Sequence, residues 1–234
     1  MISRKHRSGF TLLEVTIASV ILVVLIGIVF AILMNSTRTY QNQAAHLSLD
    51  DRAREVVNDI AKELRQSKVT LLTPNPMPAS WPNPSTAIFN DLQFRIPGAV
   101  SSGNTVLAEF KQNPDRLFTK RIRYRWVSDP NDALDGIDNN RNGVIDEGVV
   151  EKIEDDLNTA GAVIATRRSR ICYEVKKKGM DAPPPAGLGR EVGLVFRMPA
   201  DNRIEIFLDL ERADPNNRKN KITRSVQTMV ELRN

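Results

Sequence analysis

Cysteine and histidine are nearly absent from this sequence, which narrows the chemistry that the protein can perform. Among 234 residues there are one Cys and two His. The single Cys172 excludes an intramolecular disulfide, and its apolar neighbours predict a buried, unreactive thiol. His6 and His46 both precede residue 50, so the rest of the chain lacks the imidazole of a Ser-His or Cys-His pair. Because no glycine-rich nucleotide-binding motif is present either, we predict no catalytic residues and no enzymatic activity.

A strong excess of one charge is also missing from most of the chain. The net charge is +5, but residues 1–9 contain Arg4, Lys5 and Arg7 and no acidic residue. The remaining residues therefore hold 30 of the 33 basic side chains and all 28 acidic ones. Such a balance lacks the electrostatic footprint of a nucleic-acid-binding protein, so we do not expect nucleic acid as a partner.

One long uncharged run stands out against this background. Residues 15–34 contain no charged side chain, and twenty residues of helix span about 30 Å, the hydrocarbon thickness of a bilayer. A cleaved secretory signal has a shorter apolar run, of about 7 to 15 residues. The basic residues before the run predict a single-pass membrane protein whose N-terminus stays in the cytoplasm while the following domain crosses the membrane.

One acidic residue, Glu14, lies at the start of this apolar segment. A carboxylate at membrane depth is costly and normally has a partner, which a plain signal anchor does not provide. The segment Gly9-Phe10-Thr11-Leu12-Leu13-Glu14 closely resembles the prepilin peptidase site of type IV pilins and type II secretion pseudopilins. The resemblance implies cleavage between Gly9 and Phe10 and methylation of the new amino terminus, in a protein of the bacterial inner membrane whose head is periplasmic. It also implies that Glu14 meets the terminal amine of a neighbouring subunit, because paired charges are better tolerated in lipid than single ones.

Helical periodicity continues beyond the apolar run. Apolar residues recur at spacings of four, three, four and four from Leu49 to Leu64, which is the pattern of one helix face. We predict one helix from about residue 10 to 69, roughly 90 Å long, with half of it in lipid and half packed on a domain. The predicted organisation is a leader, a transmembrane or filament-core helix, an amphipathic half helix and a β-rich head, at residues 1–9, 10–37, 38–72 and 73–234.

The head is rich in strand patterns. Five prolines between Pro74 and Pro84 predict an extended connector. Alternating apolar and polar residues then predict strands at 92–96, 105–111, 121–127, 169–176, 191–198, 203–210 and 222–232. Without a second helix, we predict an α+β fold in which an antiparallel sheet packs on the exposed half of the long helix. This order of elements resembles the larger J-type pseudopilins and PilW-type minor pilins.

A loop in the middle of the head, residues 132–148, carries the pattern of a calcium site. Oxygen-bearing side chains alternate along it and Gly143 follows the third, as in D-x-[DN]-x-[DN]-G loops. Calcium takes six to eight hard oxygen ligands. We predict one structural Ca²⁺ ion, with these candidate ligands: Asp138, Asn140, Asn142, Val144, Asp146, Asp135 and Glu147. Val144 contributes its carbonyl, and either Asp146 or Glu147 closes the coordination sphere.

The loop is not a full EF-hand, because the twelfth position from Asp138 is Val149 rather than Glu. It is similar to the short calcium loops of extracellular repeats. The alternative is a polar turn, rich in Asn, Asp and Gly, that binds no metal.

The features together predict a minor pilin or pseudopilin, processed by prepilin peptidase and assembled with other pilin or pseudopilin subunits. A second hypothesis is a tip binding module on a pilin scaffold, which holds a surface, DNA or a secreted substrate. A third is a signal-anchored calcium protein that forms no filament. The Gly9-Phe10 junction and Glu14 distinguish the third hypothesis from the other two.

Overall fold

The structure is a computed structural model that describes most of the chain from residue 11 onward. The described residues are 11–75, 85–89, 91–98, 118–132, 135, 137–158, 160–176, 193–200, 202–217 and 220–232. Their contacts divide the chain into two units, Met1–Ala44 and Ala45–Asn234. The predicted strand at 105–111, most of the proline-rich segment, and Gly9 and Phe10 lie outside the described residues.

Helix α1 runs from Leu12 to Leu64. The last part of the helix buries one apolar face against the sheet, formed by Leu49, Ala53, Val56, Val57, Ile60, Ala61 and Leu64. The helix ends at Leu64 rather than near residue 69. The backbone N–H groups of Gln66 and Ser67 bond to carbonyls three residues back, which tightens the chain out of the α-helical path. A short 3₁₀ turn, Val69–Leu71, follows.

Nine strands within the described residues form one antiparallel sheet. Their bounds are β1 Thr73–Asn75, β2 Ser85–Phe89, β3 Asp91–Ile96, β4 Lys120–Ser128, β5 Gly148–Leu157, β6 Val163–Val175, β7 Leu194–Ala200, β8 Arg203–Ala213 and β9 Lys221–Glu231. The strand order is β1-β3-β4-β5-β6-β8-β7-β2, and β9, which lies off this path, also pairs with β8. A long helix packed on an antiparallel sheet confirms the predicted α+β, pilin-like fold class.

The described strands confirm the predictions at 92–96, 121–127, 169–176, 203–210 and 222–232, and from Leu194 onward the one at 191–198. Strands β1, β2 and β5 were not predicted. In β5 the apolar residues are interrupted by acidic ones, which are typical of an exposed segment. The structure places Asp155 and Glu151 of β5 opposite Arg121 and Arg125 of β4, and both pairs form salt bridges. Cross-strand pairing therefore accounts for acidic residues that sequence reasoning assigns to solvent.

The core lies between α1 and the inner face of the sheet. Phe94 of β3 and Tyr124 of β4 are buried there, with ring centroids 6.1 Å apart. Cys172 is also fully buried, and this burial raises the pKa of its thiol to about 11. The predicted burial of the thiol is thus confirmed, and the raised pKa disfavours the thiolate, which is the nucleophilic form.

Glu63 anchors the end of α1 to the sheet. One carboxylate oxygen accepts a hydrogen bond from the Tyr124 hydroxyl at 2.5 Å, and the other accepts one from Lys152 at 2.6 Å. Burial, and then the negative charge of Glu63, raises the pKa of Tyr124, so the phenol stays protonated and donates. Lys152 also contacts Glu154 at 2.5 Å. This partly buried network sets the position of the helix on the sheet.

Gly193 marks the junction at which β6, β7 and β8 meet. Its N–H donates to the Lys176 carbonyl at 3.0 Å, and its own carbonyl accepts from the Asp209 N–H at 2.6 Å. A Cβ atom at this position would come within 2.6 Å of the Asp209 oxygen and 2.7 Å of Val175 Cγ1. We expect Gly193→Ala to lower the free energy of unfolding by about 2–3 kcal/mol, because backbone atoms cannot move aside as a side chain can. Urea denaturation of the purified protein measures this.

Gly161→Asn is the matched control for this substitution. Gly161 has φ of 81°, and a Cβ atom at this position would meet nothing within 4 Å. Asn tolerates the left-handed conformation that this φ requires. We expect this variant to remain within about 1 kcal/mol of the wild type. Equal stability of Gly193→Ala and the wild type would show that the strand junction can absorb a methyl group.

Candidate functional site

The amino-terminal end of α1 is closed by a reciprocal pair of side chains. Glu14 Oε2 accepts hydrogen bonds from the Thr11 N–H at 2.9 Å and from the Thr11 hydroxyl at 3.0 Å. The Glu14 N–H in turn donates to Thr11 Oγ1 at 3.3 Å. This is a capping box, which satisfies backbone N–H groups that have no partner in the helix. Sequence reasoning assigned Glu14 to assembly and missed Thr11, although the T-x-x-E spacing before an apolar run signals such a box.

The first part of α1 exposes apolar side chains on every side. Large apolar residues between Leu12 and Met34 expose from 47% to 88% of their surface. A water-soluble helix is apolar on one side only, so a helix that is apolar all round calls for lipid or protein neighbours. Among the described residues, α1 is the one helix with the length and composition to cross a membrane.

The hydroxyl groups within this apolar stretch are satisfied locally. The Thr16 hydroxyl donates to the Leu12 carbonyl at 2.8 Å, and the Ser19 hydroxyl donates to the Val15 carbonyl at 2.7 Å. Such bonds to the preceding turn leave no hydroxyl donor in need of water. The polar residues of the segment are therefore compatible with an apolar environment.

The loop between β4 and β5 folds around Asp138. The two carboxylate oxygens of Asp138 accept the N–H groups of Asn142 and Gly143 at 3.1 and 2.8 Å. Asn140 Oδ1 accepts the Asn142 N–H at 3.0 Å, and Asn142 Oδ1 accepts the Val144 N–H at 2.8 Å. Gly143 has φ of 90°, a conformation that glycine adopts without strain. The alternating oxygens of the sequence pattern thus lie on one tight turn.

The end of this loop is held by buried carboxylates. Asp132 is 0% exposed and accepts the N–H groups of Asn139 and Glu147 at 2.8 and 3.3 Å, so it ties the middle of the loop to its last residue. Glu147 is 1% exposed, and its Oε1 accepts the side-chain amide of Asn140 at 2.9 Å and that of Asn142. Burial raises the pKa of Glu147, and the charges of Asp132 and Asp129 add to the effect.

The structure thus brings together four of the seven candidate ligands and places Val144 directly beside them. Glu147, rather than Asp146, is the residue whose carboxylate bonds Asn140 and Asn142. Asp146 is buried with φ of 56°. Asp135 is exposed, and its Oδ1 accepts the Ile137 N–H and the side-chain amide of Asn139. In the described part of the chain, no three carboxylate, imidazole or thiol groups are arranged to hold a metal by themselves, so amide and carbonyl oxygens would have to contribute.

Comparison with known protein families gives one match, at the amino terminus. The family described as a prokaryotic N-terminal methylation motif matches residues 4–30, which include the Gly9-Phe10 junction, Glu14 and most of the apolar run. No curated protein and no solved structure matches the chain significantly. This match supports a type IV pilin-like prepilin amino terminus, whereas the head has no counterpart in these comparisons.

Proposed function

We propose that the protein is a minor pilin or pseudopilin, a structural subunit that is assembled into, or caps, a type IV pilus or a type II secretion pseudopilus. The observation that carries the proposal is the combination, in one helix, of an all-round apolar surface with a carboxylate at its start. Lipid alone explains the apolar surface. It does not explain Glu14, because the bonds from Thr11 come from neutral groups and a charge at this depth is costly unless an opposite charge is supplied.

Processing and methylation would supply that partner. The methylation motif at residues 4–30 supports cleavage by prepilin peptidase, and cleavage at the Gly9-Phe10 junction creates a charged amino terminus at Phe10. An amine at Phe10 of one subunit and the carboxylate of Glu14 in the next are opposite charges within a low-dielectric filament core. The attraction between them is strong there and offsets the cost of removing both from water.

The direction of insertion follows from charge. Arg4, Lys5 and Arg7 precede the apolar run, so the leader stays in the cytoplasm and the sheet-containing head crosses to the periplasm. The unit Ala45–Asn234 has its own hydrophobic core. It therefore buries its apolar surface without help from residues 12–34, as a head exported from the membrane must.

The mature protein is expected to begin at Phe10 and to carry a methyl group on its amino terminus. Intact-mass measurement of protein extracted from membranes tests this, and tandem fragmentation of the first peptide locates the methyl group. Sheared surface filaments, or a purified pseudopilus, should contain the same processed species together with other pilin or pseudopilin subunits. Which of those subunits co-purify decides between a pilus and a type II secretion system.

Two results would contradict the proposal. A mature protein that still begins at Met1 would make α1 a plain signal anchor. Cleavage after the apolar run, beyond residue 34, would make it a secretory signal peptide and leave a free soluble head.

A further inference from the structure

Glu147 is a buried carboxylate with an incomplete set of partners. Its side chain is 1% exposed and contacts Asn140 and Asn142 through Oε1, while Oε2 is buried and has no hydrogen-bond partner among the described residues. A buried carboxylate oxygen without a donor is destabilising, because it has lost its hydration. This oxygen therefore calls for a group that the described residues do not supply.

The surrounding charge identifies the missing group as a cation. Asp129 and Asp132 are also buried close to Glu147. Within the described residues, none of these three carboxylates forms a salt bridge with Lys or Arg. The arginine-bearing face of β4 shows the contrast, since Arg121 and Arg123 form salt bridges with Asp155 and Asp91 there. This end of the loop thus concentrates negative charge, whereas the basic residue of the loop, Arg141, is exposed and forms no salt bridge with these three carboxylates in the described part of the chain.

We propose that this loop binds one calcium ion and that Glu147, not Asp146, closes the site. The other ligands are Asp138, Asn140, Asn142 and the carbonyl of Val144. Two oxygens from Glu147 and one from each of the others make six, which is within the range that Ca²⁺ accepts. Two carboxylates match its double charge. The amide oxygens of Asn140 and Asn142 each accept one backbone N–H and retain a second lone pair for the ion.

Asp132 acts as a positioning residue in this site. It accepts the Glu147 N–H at 3.3 Å and the Asn139 N–H at 2.8 Å. Counted from Asp138 as position one, Glu147 is position ten. Asp132 thus holds this carboxylate where the glutamate at position twelve would lie in an EF-hand. The twelfth position itself is Val149, which has no carboxylate. The structure explains how a loop two residues shorter than an EF-hand still provides a carboxylate as its last ligand. The proposal does not depend on filament assembly.

The experiment is a comparison of thermal unfolding and calorimetric titration of the full-length protein in detergent micelles, with Ca²⁺, Mg²⁺ or EDTA. For a dissociation constant of about 10⁻⁴ M, a free Ca²⁺ concentration about a hundredfold above that constant should raise Tm by roughly 5–10 °C. EDTA should reverse the shift. Mg²⁺ should give a much smaller one, because it requires a tighter octahedron of oxygens.

Two conservative variants decide which carboxylate is the ligand. Glu147→Gln keeps the size of the side chain but removes the charge, so we expect the calcium-dependent shift to be lost while Tm in EDTA stays the same or rises. Asp146→Asn is the matched control. Asn accepts the left-handed backbone at this position, and the variant should keep the full shift. Asp135→Asn should also keep it, since Asp135 contacts Ile137 and Asn139 instead.

Several outcomes would overturn the proposal. Identical melting of the wild type in millimolar Ca²⁺ and in EDTA, with no heat of binding, would return the loop to an ordinary polar turn. A full shift in Glu147→Gln together with its loss in Asp146→Asn would move the closing role to Asp146. If Glu147→Gln fails to fold, the titration of the wild type still decides whether calcium binds, and Asp138→Asn then tests the ligand set.

Discussion

Gly9→Leu is expected to leave the leader on the protein, so that its intact mass includes residues 1–9 and no processed species is found. A residue without a Cβ lets the backbone approach the groups of a partner closely. In the prepilin peptidase site that this segment resembles, the cleaved bond follows that residue. The unprocessed chain keeps Arg4, Lys5 and Arg7, and each such charge would cost about 2.5–3.5 kcal/mol at the centre of a bilayer. The leader therefore stays at the membrane surface, and we expect no detectable incorporation into filaments.

The control for this experiment is the neighbouring substitution Ser8→Ala, which changes the leader without adding bulk at the cleaved bond. This variant should be processed and assembled as the wild type is. Normal processing of Gly9→Leu would place the cleavage elsewhere. Loss of processing in both variants would indicate that leader composition, rather than the absence of a side chain at residue 9, decides cleavage.

Glu14→Val is expected to give a protein that is inserted and processed but excluded from filaments. Removal of one partner from a buried ion pair costs about 3–5 kcal/mol, which corresponds to at least about a hundredfold in the equilibrium constant of each subunit contact. The measurement is the amount of the variant in sheared filaments relative to the membrane, by immunoblot, with intact mass as the check on processing.

The capping box allows a sharper mutagenesis experiment, because different substitutions separate the two roles of Glu14, as a helix cap and as the charge that pairs with a neighbouring subunit. Glu14→Gln retains a side chain that suits a capping box but removes the charge. Thr11→Ala removes the cap hydroxyl, which costs a helix about 0.5–2 kcal/mol, and leaves the Glu14 charge in place. If the charge pair between subunits is decisive, Glu14→Gln fails to assemble and Thr11→Ala assembles. The reverse result would make Glu14 a cap only, and normal assembly of all three variants would leave it without a role in assembly.

The fold was largely predictable because its strongest signals are local. The apolar run and the repeat from Leu49 to Leu64 predict a long helix that packs along its second part, and the structure confirms this. The alternation in 121–127 predicts a strand with one buried and one arginine-bearing face, as β4 shows. Strand β5 was missed because its acidic residues are explained only by the arginines of β4, which lie far away in sequence.

The predicted calcium ligands show the same division at finer scale. The spacing of Asp138, Asn140 and Asn142 predicted a tight turn. The structure contains this turn, in which Asp138 and Asn140 both accept the Asn142 N–H. The sequence did not decide whether Asp146 or Glu147 is the last ligand. Both are carboxylates at adjacent positions, and only the backbone conformation determines which side chain points toward Asn140 and Asn142. The fold directs Glu147 toward Asn140 and Asn142, held by Asp132 from fifteen residues earlier.

The sequence by itself determined the features that depend on order along the chain: a basic segment before an uncharged span, Glu14 at the start of that span, and a helix followed by strands. These are encoded in neighbouring residues and in periodicities of a few positions. Only the tertiary structure decided where α1 stops on the sheet, which arginines pair with the acidic residues of β5, and which carboxylate contacts Asn140 and Asn142. Those outcomes depend on which distant groups meet, and on the energetic requirement that buried charges and backbone groups find partners.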